Sequence, residues 1–174
     1  VIPYLLGENN DVIALAQTGT GKTAAYGIPV LQKTDATNKV TQALILSPTR
    51  ELCLQIADDL KSFGKNIDGL HIVAVYGGAS ITTQIHELRH GAQIIVATPG
   101  RLIDLMERKV VKLDNLRNIV LDEADEMLNM GFSDSINTIF EAAPADRNTL
   151  LFSATMSKEI EKIAKSYLNN YKEI

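Results

Sequence analysis

Two short stretches of this chain carry side chains suited to phosphate chemistry. They are Ala16-Gln17-Thr18-Gly19-Thr20-Gly21-Lys22-Thr23 and Asp122-Glu123-Ala124-Asp125. The first joins glycines, a lysine and a threonine at the spacing of a phosphate-cradling loop. Gly19 and Gly21 let backbone N–H groups turn inward with no Cβ in the way. The Lys22 ammonium can reach outer phosphates, and the Thr23 hydroxyl can ligate Mg²⁺. The general pattern opens with glycine where this chain has Ala16. Taken alone, the loop also reads as a glycine-rich turn with an incidental lysine. In the second stretch, Asp122 can hold Mg²⁺ directly or through water, and Glu123 can polarise an attacking water. Asp125 is better placed to hydrogen-bond a neighbouring strand end. The alternative is a solvated acidic turn, or a helix start that favours carboxylates.

Positioning these groups requires strands that end beside one another. Short aliphatic or β-branched runs occur at residues 12–15, 43–46, 72–75, 94–97, 119–121 and 149–152. Most are continuous rather than alternating, as strands buried on both faces are. Between them, apolar residues recur at helical spacing: Leu52, Ile56, Leu60, Phe63; Ile81, Ile85, Leu88; Leu102, Leu105, Met106; and Ile160, Ile163, Ala164, Tyr167. These stripes read as core packing. The residues after Lys22 can begin a helix. Repeated strand–helix alternation predicts an α/β domain whose largely parallel sheet is covered by helices on both faces. Ligands of such sheets sit beyond the carboxyl ends of the strands. The informative residues fall at those ends. The polar segment 34–41 reads as a mobile loop.

Bulk properties narrow the classes. A chain of 174 residues can bury one proper core. Its net charge of −4 argues against a broad basic surface, so any nucleic-acid contact must be local. With 5% aromatic residues and no Trp, an extended base-stacking platform is not expected. Cys53 is the only cysteine, which excludes an internal disulfide and a cysteine metal cluster. No apolar run approaches the ~20 residues of a bilayer span, and the first residues carry no charged leader pattern. The reading is a cytoplasmic protein with no membrane partner. His86 and His90 lie one helical turn apart, but no third ligand completes a metal site, and a solvent-facing helix surface is the preferred reading.

The motifs, taken in order, resemble those of the first RecA-like domain of a DEAD-box RNA helicase. Asp122-Glu123-Ala124-Asp125 matches the motif that names the family. The likeness extends through Ala16 to Thr23, Pro48-Thr49-Arg50-Glu51-Leu52, Gly77-Gly78, Thr98-Pro99-Gly100-Arg101 and Ser153-Ala154-Thr155. Ala16 agrees with the family's own form of the phosphate loop. Met127-Leu128 and Gly131-Phe132 resemble the segment after the acidic motif.

The resemblance implies a RecA-like P-loop fold and ATP with Mg²⁺ as cofactors. By it, Thr18, Gly19, Thr20, Gly21, Lys22 and Thr23 bind the phosphates. Asp122 holds Mg²⁺ through water, and Glu123 activates the hydrolytic water. Lys22, Asp122 and Glu123 are thus the expected catalytic residues, with Thr23 and Asp122 facing the metal. Ser153 and Thr155, contacted by Asp125, would couple hydrolysis to strand separation; plain strand-end capping is the alternative. RNA would meet three loops: Pro48, Thr49 and Arg50; Gly77 and Gly78; Thr98, Pro99, Gly100 and Arg101. Glycine and helix-start N–H groups, hydroxyls and guanidinium forks suit backbone phosphates, so sequence-tolerant binding is expected. Turn and capping chemistry is the alternative for these loops, and intradomain salt bridges for Arg50, Glu51 and Arg101.

The resemblance also implies an upstream adenine-reading segment, whose end Val1-Ile2-Pro3 resembles, and a second RecA-like domain bearing arginine fingers. Neither is expected within these residues, and Gln17 inside the loop cannot replace the first. The isolated chain, read as a monomer, is therefore expected to bind nucleotide weakly and hydrolyse almost none. Two other readings stay open: a non-hydrolysing RNA-binding scaffold, and a DNA-directed ATPase of a related superfamily.

Overall fold

The computed structural model describes Ile2, residues 10–17 and residues 21–174. Thr18, Gly19 and Thr20 of the expected phosphate loop lie outside the described residues, as do residues 1 and 3–9. The elements run β1 (Val12–Leu15), α1 (Lys22–Lys33), β2 (Ala43–Leu46), α2 (Arg50–Phe63), β3 (Ile72–Val75), α3 (Ile81–Arg89) and β4 (Ile94–Ala97). They continue as α4 (Pro99–Glu107), β5 (Asn118–Leu121), α5 (Ala124–Asn129), α6 (Ser133–Ala142), β6 (Asn148–Ser153), α7 (Lys158–Tyr167) and β7 (Lys172–Glu173).

Among the described residues the strands form one seven-stranded sheet in the order β3-β4-β2-β5-β6-β1-β7, with every pairing parallel. The chain first strides from β1 to β2 and then to the β3 edge. It fills the gaps on its return, β4 between β3 and β2, then β5 and β6 between β2 and β1. Every strand therefore ends on the same edge, where the motifs lie.

Alternate residues of β1 to β6 feed two cores. Ile13, Leu44, Leu46, Ile95, Ile119, Leu121 and Leu151 face one side, with Leu102, Leu105, Ile136, Ile139, Ile160 and Ile163 from α4, α6 and α7. Val12, Ile45, Ile94, Val96, Val120, Leu150 and Phe152 face the other, with Tyr26, Val30, Cys53, Ile56 and Leu60 from α1 and α2. Both faces of the sheet are thereby dry, which is why the strands read as continuous apolar runs. Helices α1 and α2 approach closely at Gly27, where an added Cβ would stand 2.7 Å from Leu60 Cδ2.

Three details differ from the sequence reading. Phe63, placed on a core stripe, is 45% exposed at the end of α2. The segment 34–41 is tied down rather than free. The Gln42 amide bonds the backbone of Asp35 and Asn38, the Gln93 amide reaches Ala36 O, and Asp35 caps Thr37. Helix α6 and strand β7 were not foreseen. Among the described residues, no helix is long and apolar enough to cross a membrane.

Candidate functional site

The site is built on the first turns of α1 and the end of β5. Gly21 adopts φ +75° with open space where a Cβ would be, and it starts α1 without a side-chain cap. Helix N-terminal N–H groups there remain available to an anion. Lys22 and Tyr26 are four residues apart, so they share one face of α1. That face lies over Asp122.

Asp122 is fully buried. Its backbone N–H donates to Leu46 O at 2.9 Å, extending the β2–β5 ladder by one residue and fixing where the side chain emerges. Lys22 Nζ stands 2.9 Å from Asp122 Oδ1 and 3.9 Å from Glu123 Oε1. The Tyr26 hydroxyl donates to Asp122 Oδ2 at 2.8 Å. Oδ1 faces the ammonium and, among the described residues, receives no aligned hydrogen bond besides that ion pair.

Glu123 is one of the few non-glycine residues with positive φ, at 52°. The left-handed turn ends β5 abruptly and starts α5, placing a second carboxylate beside the first. Such backbone costs on the order of 1–2 kcal/mol and concentrates at functional positions.

Strand β6 lies between β1 and β5, so its end falls between the two acidic and phosphate-loop segments. Ala16 N–H donates to Ser153 O at 2.9 Å. The Ser153 hydroxyl donates to Thr155 O at 2.7 Å, and the Thr155 hydroxyl donates to Asp125 Oδ2 at 3.3 Å. Asp125, Ser153 and Thr155 are thus one hydrogen-bonded group spanning the ends of β5 and β6.

The other three loops share the far half of the same edge, because β2, β4 and β3 are neighbours. Thr49 caps α2, its hydroxyl accepting from Leu52 N–H at 3.2 Å. Thr98 precedes α4 with Pro99 in its first turn and makes no side-chain cap. Pro48 and Pro99 are buried, while Arg50, Gly77, Gly78 and Gly100 are exposed. Gly78 needs its φ of +80°, which other residues rarely adopt.

The arginines do not form the salt bridges considered from the sequence. Arg50 stacks over the Tyr76 ring at 5.1 Å. Arg101 donates to Ala79 O at 3.2 Å and to Gln84 Oε1 at 2.9 Å. Among the described residues neither contacts a carboxylate within ion-pair distance. Gln84 in turn holds both the N–H and the carbonyl of Tyr76. Sequence reading overlooked Gln84, although a buried amide within the Ile81, Ile85, Leu88 stripe was its signal. Tyr26 was overlooked as well, its phenol reading as ordinary helix filler.

Elsewhere, burial pushes the Cys53 thiol up to about 11, and Ser47 Oγ lies 2.9 Å from it, so the group is inert at neutral pH. The His86 and His90 rings meet edge to face at 5.1 Å.

Comparison with known proteins supplies the frame. The family described as DEAD/DEAH box helicase matches residues 1–163. An ATP-dependent RNA helicase CshA of Limosilactobacillus reuteri is 51% identical over 169 residues, covering 97% of this chain and 34% of that protein. An ATP-dependent RNA helicase DeaD of Buchnera aphidicola is 47% identical over 173 residues, covering 99% and 29%. The crystal structure of a DEAD box protein from Methanococcus jannaschii superposes with a TM-score of 0.94 at 44% identity, covering all of this chain and 47% of that one. The chain thus spans about a third of the length of the curated relatives it matches. The α/β RecA-like fold expected from the motifs is the fold observed.

Proposed function

This chain belongs to the DEAD/DEAH box helicase family, and from that premise we propose that it is the ATP-binding half of an RNA-dependent ATPase that locally separates RNA strands. The observation that carries the reading is the convergence of Lys22, Asp122 and Glu123, from two distant segments, at one sheet edge.

The residues present fit a magnesium nucleotide. Asp122 Oδ1 is buried and already faces one cation, the Lys22 ammonium, and Thr23 stands one residue beyond the lysine. Thr23 and Asp122 would hold Mg²⁺, Asp122 through water. When bound with ATP, the ion supplies positive charge against the β- and γ-phosphates.

Each side chain then has one task. The Lys22 ammonium leaves its buried carboxylate to pair with phosphate oxygens. Gly21, with Thr18, Gly19 and Thr20, offers backbone N–H groups to the same phosphates. Glu123 orients the attacking water and takes its proton. Asp125, Thr155 and Ser153 tie the end of β5 to the end of β6, so a shift at the acidic motif reaches both strand ends.

RNA would cross the other half of the edge. Exposed Arg50, the Gly77–Gly78 turn, Thr98 and Gly100 at the start of α4, and Arg101 present donors to its phosphates, while Pro48, Thr49 and Pro99 shape those loops. Contacts of this kind read backbone rather than bases. A second RecA-like domain closing on this edge would supply the arginine charge that fast turnover needs. The domain alone is accordingly almost inactive.

Phosphate release from ATP by the full-length protein, with RNA and with DNA of equal sequence, tests the proposal. Strong stimulation by RNA alone is expected. RNA binding without release would favour the passive scaffold, and stimulation by DNA would favour a DNA-directed ATPase.

A further inference from the structure

Tyr26 sits at the centre of the site without belonging to any of the motifs that drew attention to it. It is fully buried, at 0% exposure, on the inner face of α1. Its ring packs against Phe152 at 5.2 Å with a 54° tilt. The hydroxyl proton goes to Asp122 Oδ2 at 2.8 Å. A phenol has one proton to give, and here it is committed to Asp122.

The consequence is a fixed orientation of the Asp122 carboxylate. Oδ2 is held by the phenol, so Oδ1 is the oxygen turned to the cationic side of the site, where Lys22 Nζ stands at 2.9 Å. Ordering one carboxylate oxygen with a buried donor is how protein groups that never touch a metal set its ligands. The phenol itself stays protonated, because burial first and the Asp122 charge second hold its pKa well above the usual tyrosine value.

We propose that Tyr26 is a positioning residue for the magnesium site, its hydroxyl holding Asp122 Oδ2 so that the carboxylate keeps Oδ1 turned to the ion. The inference rests on the nucleotide-site reading above and goes beyond it by assigning metal affinity to a residue that contacts neither metal nor nucleotide.

Tyr26→Phe removes one oxygen and keeps the ring. The test uses full-length protein and a fluorescent ADP analogue, titrated with Mg²⁺ and, separately, measured in excess EDTA. The expected result is a roughly tenfold rise in half-saturating Mg²⁺, the usual scale for loss of an outer-shell partner. EDTA-resistant nucleotide affinity should change less than twofold. Val30→Ala, which thins the same core one turn further along α1, controls for general loosening. It should lower the melting temperature and leave the Mg²⁺ midpoint alone. A Tyr26→Phe midpoint equal to that of wild type, or a Val30→Ala midpoint shifted as far, overturns the role of Tyr26 alone. Wild-type protein whose nucleotide binding ignores Mg²⁺ overturns the metal-site reading and this inference together.

Discussion

Lys22 Nζ lies 2.9 Å from Asp122 Oδ1, and that carboxylate is wholly shielded from solvent. Without nucleotide, the lysine is the charge that makes a buried aspartate tolerable. Removing one member of a buried pair costs about 3–5 kcal/mol, mostly from the charge left behind.

Lys22→Ala is therefore expected to do two things. Nucleotide affinity should fall beyond detection, and the nucleotide-free domain should melt earlier while still folding. Adding Asp122→Asn should recover much of the melting temperature and none of the affinity. Calorimetry and nucleotide titration on the three variants check this. Unchanged nucleotide affinity in Lys22→Ala would remove the phosphate-loop assignment.

Glu123→Gln keeps the side-chain shape and removes the base. In the full-length protein, ATP binding should persist while RNA-stimulated phosphate release drops by about 10²- to 10⁴-fold, the usual contribution of a positioned base. Turnover near the wild-type rate would reject Glu123 as the group that takes the proton.

Arg101 fastens the loop after β3 through Ala79 O and Gln84. Arg101→Ala in the full-length protein should weaken RNA about tenfold and leave ADP affinity alone, in keeping with ~1.5–3 kcal/mol for a charged hydrogen bond. Gln84→Ala, which loosens the same loop without removing charge, should weaken RNA less. Equal losses in the two variants would assign Arg101 a purely scaffolding role, and no loss in either would take this loop off the RNA path.

Asp11 offers a pH signature at the opposite end of the sheet. Its carboxylate accepts from Thr149 N–H and Asn169 N–H, both at 2.7 Å. Burial nevertheless raises its pKa above the ordinary 3.8, outweighing those donors and the nearby Arg147 charge. The folded state then holds the proton more tightly than the unfolded chain. Stability from this group is full below pH 3.8 and is lost as pH rises through the folded value. Asp11→Asn cannot titrate. Its denaturation midpoint should gain on that of wild type as pH climbs above 3.8. A constant gap across that range would contradict a raised Asp11.

Six strands were legible because burial on both sheet faces leaves an uninterrupted aliphatic run. Strand β7 was not, since Lys172 and Glu173 are exposed and charged and its pairing uses backbone groups, as in Lys172 N–H to Asp11 O. Helix α6 hid its buried Ile136, Ile139 and Phe140 among Ser133, Asp134, Ser135 and Asn137. In the site, the residues that face ligand could be read, because phosphate and metal chemistry admits few side chains. Their supports could not. Tyr26 and Gln84 reach their partners across 96 and 8 positions of chain respectively, and no local spacing encodes a tertiary hydrogen bond.

The contact at Gly27 carries a mechanical consequence. Helix α1 begins at Lys22 and α2 begins at Arg50, so the two rods start at the nucleotide and RNA halves of one edge. A Cβ at Gly27 would stand 2.7 Å from Leu60 Cδ2, so the two helices pack close at this point. Packed interiors transmit displacement rather than absorb it. On the proposed function, a triphosphate that displaced α1 would press on α2 and so on Thr49 and Arg50, and Gly27→Ala, which crowds that contact, is the substitution expected to weaken the coupling between the two halves.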